Sequence, residues 1–482
     1  MFRIGILSPY SRIKQSQATG RELLKIENMS EETKSKQKKI SVVSMPVVNP
    51  DAAGIDISAT MHAVAVPADR DQICVREFGA FTEDLVCIAE WLKKCRITTV
   101  AMESTGVYWK PLYTVLLERG FSVALVNAKH VKNVTGRKND MDDAQWIQKL
   151  HSCGLLNSSF LPDDMTESLR VLVRHRKRLI EDGSKYVLRI QKALELMNIK
   201  IHTVIADIMG KTGTAIIEAI IAGQRDPENF IQYVDGRIKA DRDTIKKSLT
   251  GHWREEQLFM VSENYELYKY ISSRIVSCET KIESYLQKHA ALNNEGVIEK
   301  TDNNHVDSVK KKKNKNQPAF NVKDYLIRIH QVDVTAIFGI SDNTALEILS
   351  ETGTDLSKWE NENHFVSWLN LCPNNKISGG KLISSMVMKK KAGNATMAFR
   401  AAANALQRSD NWLGDYFKRM KTKGGNKYAI IATARKIAII YYKMVRQKEE
   451  FKPLDADEYR KNYNAARIAY LERQLTKLRG AA

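Results

Sequence analysis

Three short apolar runs decide the fold of the N-terminal half: AAGIDIS (52–58), MHAVAVPA (61–68) and QICVREFGA (72–80). Each run is rich in β-branched or small apolar residues, which is typical of strands. The gaps between the runs are only long enough for turns, so consecutive strands are expected to lie side by side. The sequence therefore predicts a meander of three antiparallel strands.

Helices and strands alternate after this meander. Apolar residues at helical spacing cover 82–95 and 108–120, and the second of these segments closes on a glycine. Buried strands are predicted at ITTVAME (97–103) and FSVALVN (121–127). Three antiparallel strands followed by helix, strand, helix and strand are typical of a ribonuclease-H-like α/β domain, which we place at residues 48–155.

The middle of the chain, 156–293, is predicted to be an α-helical spacer. Residues 165–197 and 263–289 form two long amphipathic segments on either side of a less regular stretch. Two such helices bury their apolar faces by packing on each other, as an antiparallel hairpin or a coiled coil. The polar segment 294–321, which includes the lysine run 310–313, is predicted to be a solvated linker.

The C-terminal part, 322–450, is predicted to be a mainly α-helical domain. Within it, AIFGISDNTALEILSETG (336–353) indicates helix, glycine turn and helix, and NNKISGGKLIS (374–384) indicates a glycine-bearing loop. A charge-rich helical tail is predicted for 451–482. At the other end, residues 1–47 are polar and basic, which predicts a flexible leader.

The balance of charge indicates a polyanionic partner. The chain of 482 residues carries 75 lysines and arginines against 56 acidic residues, a formal net charge of +19. Such an excess favours nucleic acid or an anionic membrane. No apolar run reaches the roughly 18 residues of a membrane span, and the first residues lack a secretory signal. We therefore expect a cytoplasmic protein that binds nucleic acid.

The cysteines favour neither a zinc site nor a disulfide framework, because they are scattered without a CxxC pair. We expect reduced thiols. The six are Cys74, Cys87, Cys95, Cys153, Cys278 and Cys372.

Four carboxylates are predicted to form a metal site. Asp56 lies in the strand GIDIS and Glu103 ends the strand TTVAME, where neighbouring strands deliver side chains to one edge of a sheet. Asp140 and Asp143 are three residues apart at a helix start, so both point from one face. Oxygen ligands without histidine or thiolate suit Mg²⁺ or Mn²⁺, and phosphoryl transfer commonly uses two such ions about 4 Å apart. The alternative is that Asp56 caps a turn and the other aspartates merely begin a helix.

A serine in the C-terminal half is a candidate nucleophile. Ser378 precedes Gly379, Gly380 and Lys381, and such a turn exposes a hydroxyl beside backbone amides and a cation. A serine hydroxyl is a weak nucleophile without activation, and no Ser-His-Asp arrangement is visible. Activation would have to come from a metal or its bound water, which points back to the carboxylates. Taken alone, SGG is an ordinary loop signal.

Cations at two places are predicted to contact nucleic acid. One group follows Ser378, where lysines and backbone amides hold a DNA backbone. The other lies on the helix of 165–197, where RNA binding and protomer pairing are both open. The residues are Gly379, Gly380, Lys381, Lys389, Lys390, Lys391, Arg174, Arg176, Lys177, Arg178, Lys185 and Arg189.

These residues resemble the insertion-sequence-110 transposases, whose pattern is an acidic ribonuclease-H-like or RuvC-like domain, a helical spacer and a transposase domain with a serine. The resemblance spans roughly residues 50 to 450. It rests on four pieces in the family's order: GIDIS with Asp56, MESTGVYW with Glu103, KNDMDDA with Asp140 and Asp143, and ISGGK with Ser378. The chain departs from the family in its AIFGIS turn, where relatives carry proline-glycine, in its long linker and in its extended termini.

The resemblance implies recombination of DNA by a mobile insertion sequence of a prokaryote, with the protein associated with the nucleoid. It implies that Ser378 joins covalently to a DNA 5′-phosphate, while Asp56, Glu103, Asp140 and Asp143 hold Mg²⁺ in a composite site. It also implies a structured noncoding guide RNA that pairs with donor and target DNA. Homodimers that assemble into tetramers on DNA are the expected oligomer.

Two other functions remain open. A metal-dependent, structure-specific nuclease such as a junction resolvase would use the same four carboxylates with water as the nucleophile. A nucleic-acid-binding protein without an active catalytic site would be explained by charge and helical surface alone. A DNA-linked protein that is lost in Ser378→Ala would distinguish the recombinase from both.

Overall fold

The computed structural model describes residues 46–126, 140–292, 316–386 and 393–479. The chain divides into two compact units between Phe160 and Leu161. All but the last two residues of the predicted leader and most of the predicted linker lie outside the described residues.

A five-stranded sheet forms the first unit. Its strands are β1 (Ala52–Ile57), β2 (Met61–Ala65), β3 (Val75–Gly79), β4 (Thr99–Glu103) and β5 (Ser122–Val126). They lie in the order β3-β2-β1-β4-β5. The first three strands pair antiparallel, as the turn-length gaps predict, and β4 and β5 run parallel to β1.

The helices described beside this sheet are α1 (Thr82–Lys94), α2 (Trp109–Glu118) and α3 (Asp140–Ser152). α1 and α2 follow the predicted helical spacing, and each parallel strand of the sheet is reached through one of them. Buried side chains of α1 include Leu85, Ile88 and Leu92, one helical stripe. The prediction of a mixed α/β N-terminal domain is confirmed.

The second unit begins with two long helices that enclose shorter ones. These elements are α4 (Asp164–Leu196), α5 (Ile201–Val204), α6 (Lys211–Ile221), α7 (Pro227–Phe230), α8 (Arg242–Ser248) and α9 (Glu255–Leu292). The short helices close a core of buried isoleucines that includes Ile199, Ile216 and Ile220. This core occupies the stretch for which the sequence showed little regularity.

α4 and α9 pack against each other in opposite directions. The Cys278 thiol lies 3.5 Å from the Leu172 carbonyl oxygen, while a Cβ on Gly183 would lie 3.6 Å from the Ile271 side chain. As residue numbers rise along α4, the contacting numbers on α9 fall, so the pair is an antiparallel helical hairpin. This is one of the two arrangements that the amphipathic segments predicted.

The remaining part of the second unit is mostly helical. Its elements are α10 (Val322–His330), α11 (Asp342–Thr352), α12 (Glu362–Trp368), β6 (Asn374–Ser378), β7 (Lys381–Met386), α13 (Asn394–Ala405), α14 (Trp412–Gln447) and α15 (Ala456–Arg479). Its core is rich in aromatic rings, among them Phe365, Phe399 and Tyr441. α14 is broken at Gly424 and Gly425, whose backbone angles are not helical.

Two local predictions for this part are wrong. The glycine-bearing loop of 374–384 is a β-hairpin, in which β6 and β7 pair antiparallel. The helix expected before Gly339 is only a 3-10 turn, Val334–Ala336, because the backbone adopts an extended conformation at Ile337. Gly339 has a φ of +92°, and a Cβ there would lie 2.4 Å from the Ala402 carbonyl oxygen. The glycine turn and the second helix of this prediction are confirmed, since Gly339 is followed by α11.

Among the described residues, no helix combines the length and apolarity that crossing a lipid bilayer requires.

Candidate active site

Asp56 and Glu103 are brought side by side by strand register. β1 and β4 pair in parallel, with Ile55 opposite Met102 as the last registered pair. Asp56 and Glu103 are the next residue of each strand, so they occupy matching positions on neighbouring strands and point to the same face. The sheet thus brings together two of the four predicted carboxylates.

Helix α3 covers the sheet face to which Asp56 belongs. Gly54 and Asp56 are two residues apart on β1 and therefore share a face. A Cβ on Gly54 would lie 2.2 Å from the backbone nitrogen of Gln148 and 2.5 Å from the carbonyl oxygen of Ala144. Only glycine lets α3 come this close to the sheet, a requirement that the sequence analysis missed.

The N-terminal end of α3 lies at the same end of the sheet as Asp56. The last turn of α3 lies before β1, because the Val48 amide donates to the Ser152 carbonyl oxygen at 2.8 Å. Nearer the first turn, Ala144 packs with Ala63, and Ala63 is the antiparallel partner of Asp56. α3 therefore runs opposite to β1 and starts beside its carboxyl end.

Asp140 and Asp143 both belong to this first turn of α3. Asp143 is partly buried and precedes the buried Ile147 by one turn, so the two share a helix face. The side chain of Asp140 lies outside those that the structure describes. Among the described side chains, no three carboxylates, histidines or thiols gather closely enough to hold a metal.

The chemistry of the described donors fits a hard divalent cation. Glu103 is 7 % exposed, and the Thr105 hydroxyl donates to its Oε1 at 3.0 Å. A buried carboxylate beside a second acid is stabilised when a cation neutralises both. Carboxylate oxygens are the ligands that Mg²⁺ prefers. Asp56 and Glu103, side by side on β1 and β4, therefore offer the kind of ligands that such an ion takes, and Asp140 and Asp143 begin the helix that starts at the same end of the sheet.

Ser378 ends β6 and faces solvent. It pairs with Lys381 across a two-residue turn of Gly379 and Gly380, which have φ values of +55° and +75°. Two consecutive left-handed residues define the tight turn that joins hairpin strands and favours glycine. The hydroxyl group therefore stands at the tip of a hairpin, accessible to a large substrate.

The predicted cations after Ser378 are partly described. Lys381 is exposed at the start of β7, and Lys376 is exposed on β6, so both strands carry a cation near the tip. The predicted contacts Lys389, Lys390 and Lys391 lie outside the described residues. The hairpin tip thus offers a hydroxyl between cations, an arrangement suited to a phosphate.

On α4, the predicted nucleic-acid contacts do not share one environment. Arg178, Lys185 and Arg189 are exposed. Arg176 is 4 % exposed, and its Nε donates to Glu279 at 2.8 Å. Its guanidinium joins α4 to α9 and is not accessible to a nucleic acid, so the prediction for this residue is wrong.

Arg174 and Lys177 also turn toward protein groups. Arg174 donates to both oxygens of Glu351, at 2.7 and 2.8 Å, and this hydrogen bonding raises the pKa of the guanidinium. Lys177 lies 3.8 Å from Glu347. Glu351 is buried and also accepts from Asn394 at the start of α13. Sequence spacing gave no signal for this link between α4, α11 and α13.

Two protein-family models match the regions of the chain that contain the candidate sites. A model of the IS110 DEDD class, described as a transposase, matches residues 53–199, and a model described as the transposase IS116/IS110/IS902 family matches residues 333–418. The two matches follow each other in the order that the sequence analysis predicted. The chain belongs to the IS110 family of transposases. A search of curated proteins finds no match.

Each candidate site lies within one of the two regions that match the IS110 family. The first matched region contains Asp56, Glu103, Asp140 and Asp143, and the second contains Ser378. The protein is thus a transposase of an insertion sequence, and DNA is its substrate. The acids lie in the first structural unit and the serine in the second.

Proposed function

We propose that this transposase cuts and rejoins DNA through a covalent bond between Ser378 and a DNA 5′-phosphate. The observation that carries the proposal is the hairpin tip, where the exposed Ser378 stands between Lys376 and Lys381 at a two-glycine turn. The four carboxylates of the first unit would hold Mg²⁺ or Mn²⁺. We further infer that the first unit has a RuvC-like fold of the ribonuclease-H type, since three antiparallel strands precede two parallel ones.

The proposed step exchanges one phosphodiester bond for another. The Ser378 oxygen attacks the phosphorus, a serine–phosphate bond forms, and the bond from phosphorus to the DNA 3′-oxygen breaks. The serine proton is lost, and the leaving 3′-oxygen takes up a proton to become a hydroxyl. Lys376 and Lys381 stabilise charge on the phosphate oxygens. A metal ion, when bound, would stabilise the entering and leaving oxygens.

Joining requires the reverse step with a different 3′-hydroxyl. Because the energy of the broken bond is kept in the serine–phosphate bond, rejoining needs no nucleotide cofactor. The acids and Ser378 belong to different structural units, and the proposal is that they act together in one composite site. We place DNA donor and target ends at this site.

Sequence choice is proposed to come from a structured noncoding RNA that pairs with donor and target DNA. The exposed Arg178, Lys185 and Arg189 of α4 would contact its backbone, with Arg189 also lying over the Tyr186 ring at 5.4 Å. Homodimers that assemble into tetramers on DNA would bring two pairs of DNA ends together.

The alternative is a nuclease that uses water in place of Ser378. It is favoured by the grouping of all four candidate ligands in the first unit, whereas the serine belongs to the second. Cleavage would then be independent of Ser378.

The deciding experiment looks for DNA attached to protein. The full chain is incubated with the element's flanking DNA, its noncoding RNA and Mg²⁺, and the products are separated on a denaturing gel. We expect an adduct with the wild type and none with Ser378→Ala. Ser384→Ala, on β7 of the same hairpin, is the matched control and should keep the adduct.

Two outcomes would overturn the serine mechanism. Cleavage by both wild type and Ser378→Ala without any adduct would establish the water-dependent nuclease. An adduct that persists in Ser378→Ala would assign the covalent bond to another residue.

The metal site is tested separately by Mn²⁺ binding, measured from the loss of the free-ion paramagnetic resonance signal. We expect Glu103→Gln to weaken binding at least about tenfold, because the buried carboxylate loses its charge. Glu118→Gln, an exposed glutamate at the end of α2, should bind Mn²⁺ like the wild type. Equal affinity in all three proteins would rule out Glu103 as a ligand.

A further inference from the structure

Within the part of the chain that the structure describes, helix α15 is anchored to the second unit at its beginning. The Arg460 guanidinium donates to Asp410 and Asp415, which precede α15, at 2.5 and 2.6 Å, and to Asp457 within α15 at 2.9 Å. Arg419 of α14 lies over the ring of Tyr463 at 4.6 Å. These contacts fix the direction in which the rest of α15 extends.

Beyond this anchor, α15 presents a regular apolar stripe to solvent. Ile468, Leu471, Leu475 and Leu478 follow one another at intervals of three, four and three residues. They are 57, 49, 54 and 69 % exposed, and no residue of α15 is buried. Alternating steps of three and four are the a and d positions of a coiled coil.

The charges beside the stripe have a matching arrangement. With Ile468 and Leu475 at a, Arg467 occupies a g position and Glu472 the following e position. In a parallel pair of helices, each g residue faces the e residue five positions later on its partner. Arg467 of one helix would therefore meet Glu472 of the other, twice by symmetry.

We propose that α15 forms a parallel, two-stranded coiled coil with α15 of a second copy of this chain. Ile468 at a followed by Leu471 at d favours two strands. Of the other cations of this segment, Arg473 and Lys477 fall at f and c, away from the seam, so they stay solvated in the pair. Arg479 falls at e, where it meets the uncharged Gln474 at g of the partner helix. The inference does not depend on the proposed DNA chemistry.

A second copy explains the stripe better than a nucleic acid does. Four large apolar side chains in one row lose little exposed area against phosphates, whereas a second stripe of the same kind covers all of them. The anchored first turns hold the helix in one orientation before association, and this lowers the entropy that is lost on pairing.

Disulfide cross-linking of the full chain tests the arrangement. Ile468→Cys and Leu478→Cys are made separately in a Cys87→Ser background, since Cys87 is an exposed thiol of the native chain. In a parallel, in-register pair, identical a or d positions face each other, so each variant should form a covalent dimer on mild oxidation. Lys477→Cys, at the outer c position, is the matched control and should not.

Equal cross-linking at 477, or none at 468 and 478, would overturn the coiled coil. A disulfide that forms only when the Ile468→Cys and Leu478→Cys proteins are mixed would show an antiparallel pair and overturn the proposed orientation.

Charge reversal tests the partner independently. Arg467→Glu should weaken self-association measured by sedimentation equilibrium by about tenfold, because two like pairs replace two opposite ones. Arg467→Glu combined with Glu472→Arg should restore it. If Leu471→Asp with Leu475→Asp leaves self-association unchanged but weakens binding to a DNA duplex, the stripe serves nucleic acid and the proposal is wrong.

Discussion

At the scale of single residues, Gly54 sets the distance between helix α3 and the sheet. Because a Cβ at this position would lie within 2.5 Å of two backbone atoms of α3, the helix would have to move. We expect Gly54→Ala to cost about 1–3 kcal/mol, as overpacking of a tight core does. It should also weaken Mn²⁺ binding, since Asp143 moves with α3.

The free energy of unfolding in urea and the Mn²⁺ affinity check this expectation. Gly236→Ala is the control, because its Cβ meets nothing within 4 Å, and it should change stability by no more than about 0.5 kcal/mol. Unaltered stability and Mn²⁺ affinity in Gly54→Ala would contradict the role given to the close approach.

His330 is a second residue whose burial has a measurable consequence. It is fully buried against Tyr441, and this burial, with the nearby Lys448 charge, lowers its pKa to about 3. The unfolded chain takes up a proton at about pH 6.5 while the folded chain does not. Stability therefore falls as the pH drops from about 6.5 towards 3, with a slope of up to about 1.4 kcal/mol per pH unit from this group.

His330→Phe keeps a ring beside Tyr441 and removes the titrating group. We expect the free energy of unfolding of this variant to fall less steeply with acidification than that of the wild type. The difference in slope should be up to about 1.4 kcal/mol per pH unit, the contribution of one titrating group. Identical slopes in wild type and His330→Phe would contradict the predicted effect of burial.

At the scale of elements, a buried ion pair holds the helical hairpin together. Arg176 of α4 and Glu279 of α9 are 5 and 7 % exposed in their side chains, and Glu279 also accepts from the Ala319 amide. Removing one partner leaves a buried charge, so Glu279→Ala should cost about 3–5 kcal/mol. Arg176→Met combined with Glu279→Met should recover most of this loss.

Denaturant unfolding of the single and double variants measures the effect. The exposed pair of Lys185 and Asp182 gives a control on the same helix, and Asp182→Ala should leave stability unchanged within error. A Glu279→Ala protein as stable as the wild type would show that the pair contributes nothing to the hairpin.

The elements that were predicted correctly have regular apolar periodicity. The strands of the first unit alternate or bury continuous apolar runs, and α4 repeats apolar residues at helical spacing, so local sequence determined them. The hairpin of β6 and β7 was missed because its short strands are exposed, and apolar side chains such as Ile377 and Leu382 form no buried face. Its signal was nevertheless present, since two glycines between NKIS and KLIS are a hairpin turn.

Part of the candidate site could be predicted from the sequence for a similar reason. Asp56 and Glu103 could be placed together because they lie near the carboxyl ends of strands expected to be neighbours in the sheet. The environment of Arg176 could not be predicted, because its partner Glu279 is 103 positions away in the sequence. Residue type alone does not separate a buried arginine from one that binds phosphate.

At the scale of the whole molecule, some cations are bound by acids of the protein, whereas others are exposed to solvent. Arg170 and Arg174 are held by acids of the second unit, whereas Lys376 and Lys381 flank Ser378 at an exposed tip. The net charge of +19 therefore overstates the cations that are free to meet DNA. Exposed cations near the candidate nucleophile are the ones expected to hold the phosphate backbone.

This division predicts the salt dependence of DNA binding. For every phosphate contact, the logarithm of the affinity falls by about 0.9 per logarithm of salt concentration. Lys376→Gln with Lys381→Gln should therefore reduce the slope of the affinity against salt by about two. Lys239→Gln, an exposed lysine elsewhere in the second unit, should leave the slope unchanged. Fluorescence anisotropy of a labelled duplex between about 50 and 200 mM salt measures all three. If the double variant keeps the wild-type slope, the hairpin cations do not contact the backbone, and Ser378 would have to reach DNA without them.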